Sequence, residues 1–157
     1  MPLTPPALDP STLTPRTHST YPEVYRERVL PREKRGLGAA LGLTKLGVNL
    51  TTLAPGKQSA LRHFHTREDE LVYVVEGEVT LVTDGGEQTL GAGMCAGFPA
   101  GVRDGHHLVN RTGSSVRYLE MSSRDPDDGA EYPDDDLAYS RGPDGPVFTR
   151  KDGSPTR

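Results

Sequence analysis

The sequence is short of cysteine, tryptophan and long apolar runs. A single cysteine in 157 residues excludes an internal disulfide and is typical of a reducing compartment. No stretch approaches the roughly 20 apolar residues that cross a bilayer, and the first residues lack the basic and apolar regions of a secretory signal. We therefore expect a cytoplasmic protein with no membrane partner. The cysteine, Cys95, lies among small and apolar residues, which predicts a buried side chain.

An excess of basic residues is also missing. The chain has 18 Lys and Arg against 22 Asp and Glu, a formal net charge of −4. Binding to DNA or RNA usually needs a basic patch or stripe, so nucleic acid is not an expected partner. The length suits one domain with a hydrophobic core, and no internal repeat is visible.

Proline, glycine and acidic residues divide the chain into three parts. Residues 1–22 carry six prolines with many Thr and Ser, a composition that cannot bury enough apolar surface to offset the entropy of ordering, and we expect an extended N-terminal arm. Residues 23–122 alternate short apolar runs with glycines, which predicts many short strands and an all-β domain. Residues 123–157 form an acidic C-terminal tail rich in proline and glycine.

Two interpretations of the C-terminal tail stay open. Its charge favours a solvated segment. Scattered apolar side chains favour the alternative, in which the tail is pinned to the domain or to a second subunit. These side chains are Tyr132, Leu137, Tyr139, Val147 and Phe148.

Six segments show the apolar or alternating pattern that is typical of strands. They cover residues 47–53, 71–75, 78–82, 94–98, 106–110 and 116–121. Asp84-Gly85-Gly86 predicts a hairpin turn after the third segment. Residues 39–43 carry a helical signal, which their glycine weakens.

Histidine is concentrated in two short windows of the sequence. His63 and His65 are separated by one residue, so on a strand both side chains lie on the same face. A polar stretch before Glu70 predicts a turn that returns its carboxylate to the same pocket, and His106 adds a third imidazole from a distant segment. Three imidazoles and one carboxylate suit one divalent transition metal, and this donor set does not choose among Zn, Fe, Ni, Mn and Co.

These residues resemble the two sequence motifs of the cupin superfamily. The first motif is matched by Gly56, His63, His65, Glu70 and Gly77, with one extra residue after the first glycine. The second motif is matched by Gly93, Pro99, Gly101, His106 and Asn110, with a spacer two residues longer than usual. That spacer leaves His107 as an alternative fourth ligand, although the three residues before Asn110 favour His106. The resemblance covers about residues 45–122.

The cupin resemblance implies a fold and an assembly. The expected fold is a double-stranded β-helix, or jelly-roll barrel, over residues 23–122, with the N-terminal arm and the C-terminal tail outside it. The metal would lie inside one mouth of the barrel, held by His63, His65, Glu70 and His106. A homodimer is the expected assembly.

Within the superfamily, the runs 62–77 and 97–111 look most like stand-alone bacterial cupins described as sugar-phosphate isomerase-like. This implies a metal-dependent isomerase whose small-molecule ligand is a sugar or sugar phosphate, with a catalytic base that the sequence does not identify. A metal-dependent dioxygenase, which uses the same ligand set in other cupins, and a non-catalytic metabolite sensor are the alternatives. A phosphate would need a cationic anchor, for which the candidates are Arg32, Lys34, Arg35, Lys45, Lys57 and Arg62.

Overall fold

The computed structural model describes residues 1–156, which form β-strands and the loops that join them, with three short helical elements. The helical elements are a 3-10 turn at Pro10–Thr12, α1 at Glu23–Val29 and α2 at Leu37–Ala40. The strands are β1 (Arg32–Gly36), β2 (Leu46–Leu53), β3 (Phe64–His65), β4 (Glu70–Glu76), β5 (Glu78–Thr83), β6 (Gly86–Gly91), β7 (Cys95–Phe98), β8 (His107–Val109), β9 (Val116–Ser123), β10 (Gly129–Glu131), β11 (Ala138–Gly142) and β12 (Gly145–Thr149).

The strands form three antiparallel sheets that fold around a cavity. A five-stranded sheet has the order β1-β2-β9-β4-β7, a four-stranded sheet β12-β11-β10-β3 and a three-stranded sheet β6-β5-β8. All six predicted strands are present, and the predicted hairpin joins β5 to β6. The prediction of an all-β jelly-roll barrel is confirmed.

One hydrophobic cluster fills the space between the five-stranded and three-stranded sheets. We call it the central core, and its buried members are Leu53, Val74, Val79, Leu81, Leu90, Leu108, Val116 and Tyr118. They come from β2, β4, β5, β6, β8 and β9, whose alternating side chains turn one face inward. The central core therefore comes from the part of the chain in which strand patterns are visible in the sequence.

A second hydrophobic cluster joins the two ends of the chain. We call it the terminal core, and its buried members are Tyr21, Val29, Leu61, Ala130, Tyr132 and Leu137. The rings of Tyr21 and Phe148 have centroids 5.4 Å apart, so residues before α1 pack directly on β12. This packing favours the interpretation in which apolar residues pin the C-terminal tail to the domain. The division into arm, barrel and tail stays a prediction.

Two further observations concern the surface. Cys95 is exposed, so the expectation that it is buried is wrong: it lies opposite Tyr73 in the pairing of β7 with β4, on the outer face of the sheet. Within residues 1–156, no helix is long and apolar enough to cross a membrane.

Candidate metal centre

The four predicted ligands are brought together by three backbone features. His65 lies on β3 and Glu70 opens β4. His63 and His106 form an isolated antiparallel bridge, in which each backbone nitrogen donates to the other residue's carbonyl oxygen, at 3.2 Å and 2.9 Å. Two segments that are far apart in the sequence are thus locked side by side.

The side chains of these residues converge on one carboxylate oxygen. Oε1 of Glu70 lies 3.0 Å from Nε2 of His106, 3.5 Å from Nε2 of His63 and 3.4 Å from Nε2 of His65. Zinc-type ions bind such atoms at about 2.0–2.2 Å, so adjacent ligands of one ion lie about 3.0–3.4 Å apart. Donor atoms of His63, Glu70 and His106 lie within 4.8 Å of one another, a spacing that fits a single divalent transition metal. His65 reaches Glu70 but is grouped at that distance with Glu68 and Asp128 instead.

The other ring nitrogens fix the orientation of two of the histidines. Nδ1 of His63 donates to the carbonyl oxygen of Leu61 at 2.7 Å, and Nδ1 of His65 lies 2.6 Å from Oδ2 of Asp128. Both contacts leave Nε2 directed toward Glu70, which is the arrangement that outer partners impose on metal-binding histidines.

His106 is held differently from the other two histidines. Its ring stacks on Phe98, with centroids 3.5 Å apart and planes 3° from parallel. Its Nδ1 is buried and makes no hydrogen bond to any of residues 1–156. Aromatic packing therefore orients this imidazole in place of a polar partner.

Ionisation of the cluster follows from its burial and its close contacts. Burial opposes ionisation of Glu70, but the hydrogen bond from His106 and the close approach of His63 and His65 outweigh it and hold its pKa well below the usual value. Burial also disfavours the charged form of His65, yet the hydrogen bond to Asp128 and the charge of Glu70 raise its pKa. The pKa of His106 is lowered, mainly by burial. The carboxylate is thus ready to ligate a cation at neutral pH.

Asp128 is a site residue that the sequence analysis missed. Besides contacting His65, its carboxylate accepts hydrogen bonds from the backbone nitrogens of Arg67 and Glu68, each at 3.1 Å. Glu68 in turn accepts a hydrogen bond from Nη2 of Arg141 at 2.6 Å. Nothing in the spacing of the acidic tail distinguishes Asp128 from its acidic neighbours.

The structure places His106, and not His107, in the cluster. Nδ1 of His107 donates to the carbonyl oxygen of Ala60 at 3.0 Å, and burial lowers the pKa of His107. The identity of the ligands themselves remains a prediction.

A cavity of about 390 Å³ opens beside the histidines. Phe98, Tyr132 and Tyr139 line it near the cluster, and other walls carry Arg32 and Lys34 of β1 with Tyr118 and Glu120 of β9. Of the candidate anchors, only Arg32 and Lys34 line this cavity.

Arg62, another candidate anchor, is engaged outside the cavity. It donates to the carboxylate of Asp134 at 2.7 Å and 2.9 Å and also contacts Asp84. Its place next to His63 on the chain had predicted that it faces away from the pocket.

Comparison with known proteins links this geometry to a family. The model of the Cupin domain family matches residues 49–122. The chain is similar to a solved sugar phosphate isomerase of the cupin superfamily from Silicibacter pomeroyi, with 43% identity, 97% of each chain covered and a TM-score of 0.93. It is also similar to a putative sugar phosphate isomerase from Acidithiobacillus ferrooxidans, with 27% identity, 80% of each chain covered and a TM-score of 0.71.

A more distant likeness concerns the fold alone. A predicted oxalate decarboxylase from Thermotoga maritima has 20% identity and a TM-score of 0.60, over 74% of this chain and 97% of that one. No curated protein matches the chain.

Proposed function

This chain belongs to the cupin superfamily, and we propose that it is a metal-dependent isomerase that acts on a small sugar or sugar phosphate. The observation that carries the proposal is the convergence of three imidazoles on the Glu70 carboxylate in the wall of a cavity large enough for a small metabolite. The sugar phosphate isomerase from Silicibacter pomeroyi, which matches nearly the whole chain, supports the same class of reaction.

We propose His63, His65, Glu70 and His106 as the ligands of one divalent ion, which is Zn, Fe, Ni, Mn or Co. When bound, such an ion polarises neighbouring hydroxyl and carbonyl oxygens as a Lewis acid. The protein's own contribution is orientation: Leu61 and Asp128 fix two of the rings, and Phe98 fixes the third.

The cavity wall next to the ligands is aromatic. The ring of Tyr132 lies 5.7 Å from that of His63, and the ring of Tyr139 lies 6.5 Å from that of His65. Burial raises the pKa of Tyr132 well above its usual value, and the neighbouring Tyr21 raises it further. Tyr132 is therefore a neutral phenol at physiological pH, able to hold or donate a proton beside a bound ligand.

We also propose that the chain forms a homodimer through the outer face of the five-stranded sheet. Leu71, Tyr73 and Val75 project from β4 and are 39%, 41% and 41% exposed. A row of exposed apolar side chains of this kind favours contact with a second subunit.

Light scattering at micromolar concentration tests the homodimer. We expect the wild type to have twice the mass of one chain and Leu71→Glu to be a monomer. A monomeric wild type would contradict the assembly. We propose that the protein acts in the cytoplasm.

Metal content and turnover test the function together. Protein purified without added metal should carry about one transition-metal ion per chain, and the double variant His63→Ala, His65→Ala should carry none. His106→Ala should also lose metal, whereas His107→Ala, the matched control, should keep it. The loaded protein should interconvert aldose and ketose forms of at least one sugar or sugar phosphate.

The alternatives give different results in the same experiment. Bound ferrous iron with consumption of dioxygen would identify a dioxygenase. Tight ligand binding with no turnover would identify a sensor. Metal content that is unchanged in the double variant would refute the ligand assignment.

A further inference from the structure

We propose that Arg32 and Tyr118 form an anion subsite in the cavity, which binds a phosphate group of the ligand. This deepens the proposed function and rests on it for the rest of the ligand, but the subsite is argued from groups outside the metal cluster. Arg32 lies on β1 and Tyr118 on β9, and both side chains line the same cavity as the histidines.

Arg32 is a buried charge with no counter-ion. The residue is 7% exposed, and its Nη1 donates to the carbonyl oxygen of Ser59. No carboxylate among residues 1–156 lies within 4.0 Å of its guanidinium. Removing a charge from water without pairing it is costly, and buried charges in proteins are normally paired. A ligand anion would supply the missing partner.

Tyr118 presents an unused hydrogen-bonding group beside Arg32. It is fully buried, and its hydroxyl oxygen makes no hydrogen bond to any described residue. The hydroxyls of Thr51 and Ser59, which also lower its pKa slightly, are directed to other partners: that of Thr51 donates to Glu120 at 3.1 Å, and that of Ser59 accepts from the backbone nitrogen of Leu108 at 2.9 Å. A buried polar group without a partner normally marks a site for water or a ligand.

The ionisation of Tyr118 is consistent with a donor role. Burial raises the pKa of its hydroxyl well above the usual value, Glu120 raises it further, and the guanidinium of Arg32 opposes the shift. The phenol therefore stays protonated and can donate. A water molecule would satisfy the phenol, but it would leave the charge of Arg32 without a counter-ion.

The neighbouring ion pair does not supply that counter-ion. Glu120 pairs with Lys34 and accepts further hydrogen bonds from Thr51 at 3.1 Å and Asn49 at 3.4 Å. Lys34 and Glu120 neutralise each other, so the charge of Arg32 remains as an excess positive charge on this wall. The wall attracts an anion even though it contains a carboxylate.

Phosphate fits this set of donors better than carboxylate does. A guanidinium binds two oxygens of a phosphate or carboxylate side by side. A tetrahedral phosphate has a third oxygen that can face the Tyr118 hydroxyl, and it carries about −1.5 to −2 charge at pH 7, whereas a carboxylate has two oxygens in one plane and a single negative charge. On β9, Tyr118 is four residues from Ser122, the residue paired with Glu70, which separates their backbones by roughly 13 Å. A ligand would thus reach both the metal cluster and the anion subsite through its length.

Calorimetric titration of the full-length protein with inorganic phosphate tests the subsite without turnover. We expect one phosphate per chain, both in protein as purified and after treatment with a chelator. Arg32→Met should weaken binding by at least about tenfold, the effect of losing one charged hydrogen-bonding partner, and Tyr118→Phe by about threefold to tenfold. The affinity of Arg32→Lys for phosphate should lie between that of the wild type and that of Arg32→Met.

The matched control is Arg117→Met. Arg117 lies next to Tyr118 on β9, but its side chain is 42% exposed and pairs with Glu76 at 3.5 Å on the outside of the sheet. Phosphate binding should be unchanged in this variant. Thermal melting of each variant shows that it is folded, and if Arg32→Met does not fold, Tyr118→Phe decides the outcome.

Several results would overturn the subsite. They are an absence of phosphate binding in the wild type, equal binding in Arg32→Met, and acetate binding as tight as phosphate. His63→Ala separates the two proposals: phosphate binding should persist in it, and loss there would assign phosphate to the metal cluster and refute the subsite. Persistent phosphate binding in a protein without isomerase turnover would refute the proposed function and leave the subsite standing.

Discussion

The central core and the terminal core differ in where their residues come from. All buried side chains of the central core lie between Leu53 and Tyr118, inside the part that matches the Cupin domain family. The terminal core joins residues such as Tyr21 to Tyr132 and Leu137, which are more than a hundred residues away in the sequence. The first core forms the barrel, and the second closes the side of it on which the histidines lie.

The difference shows that the candidate metal centre depends on both cores. β3, which carries His65, pairs with β10 in the four-stranded sheet, and the ring of His63 lies against that of Tyr132 in the terminal core. Glu70 instead belongs to β4 in the five-stranded sheet. The imidazoles and the carboxylate are thus supported by different parts of the chain, and the terminal segments are part of the site's framework.

Truncation to residues 23–122 is expected to have the largest effect. It removes four of the six terminal-core side chains, Tyr21, Ala130, Tyr132 and Leu137, and leaves β3 without its partner. Since a domain is stable by only about 5–15 kcal/mol, we expect loss of cooperative unfolding. Circular dichroism during heating measures it, with deletion of residues 2–6, which are all exposed, as the control. A sharp transition in the truncated chain would show that the central core is sufficient.

Two leucine substitutions compare the cores directly. Leu53 in the central core and Leu137 in the terminal core are both fully buried, so replacing either with Ala should lower the free energy of unfolding by about 2–5 kcal/mol. Only Leu137→Ala should also weaken metal retention, because it loosens the wall behind the histidines. Denaturant unfolding and elemental analysis give the two results. Equal metal loss in both variants would argue that the cores act as one unit.

Asp128→Asn tests the link between the terminal segment and the site at a single atom. The variant keeps Oδ1, which accepts from two backbone nitrogens, and replaces Oδ2, which contacts His65. Loss of such an outer partner typically lowers metal affinity by about 10–100-fold. Competition with a chromogenic chelator measures the affinity. Asp127→Asn, at an exposed neighbouring position, is the control, and equal affinities in the two variants would remove Asp128 from the site.

The smallest expected effect is the pH dependence of the same pair in metal-free protein. Because folding lowers the pKa of Asp128, its carboxylate stabilises the folded protein at pH values above its pKa in the unfolded chain, which is near 4. This stabilisation is lost as the pH falls through the lower pKa of the folded state. Because folding raises the pKa of His65, its charged ring stabilises the folded protein at pH values below its pKa in the unfolded chain, which is about 6.5. This stabilisation is lost as the pH rises through the higher pKa of the folded state. The free energy of unfolding of the wild type should exceed that of Asp128→Asn by roughly 1–3 kcal/mol near pH 5.5. The difference should be smaller at pH 8.5. Urea unfolding at both pH values measures this, and a constant difference would contradict the ion pair.

The parts of the site that were predictable are those encoded by local spacing. Alternation placed His63 and His65 on one face, and the strands of the central core have visible apolar patterns. Asp128 was not predictable, because its contact with His65 depends on the pairing of β3 with β10, across 63 residues. Arg32 could not be singled out among several cationic candidates. Its burial without a carboxylate partner depends on how β1 joins the sheet, which the sequence does not show.

Cys95 shows a limit of a different kind. Its neighbours are small and apolar, which favours burial, but the register of β7 against β4 turns the side chain outward. A one-residue change of register moves every side chain of a strand to the other face, so composition alone cannot decide which side a residue occupies.

The contact between Tyr21 and Phe148 has a consequence for biosynthesis. All four proposed ligands have been made by the time the ribosome reaches residue 106, yet Asp128 and the strands that support β3 are still to come. A nascent chain therefore holds its histidines before it can orient them. The ability to retain a metal should develop late in translation, after β12 has emerged to meet the residues that were synthesised near the start.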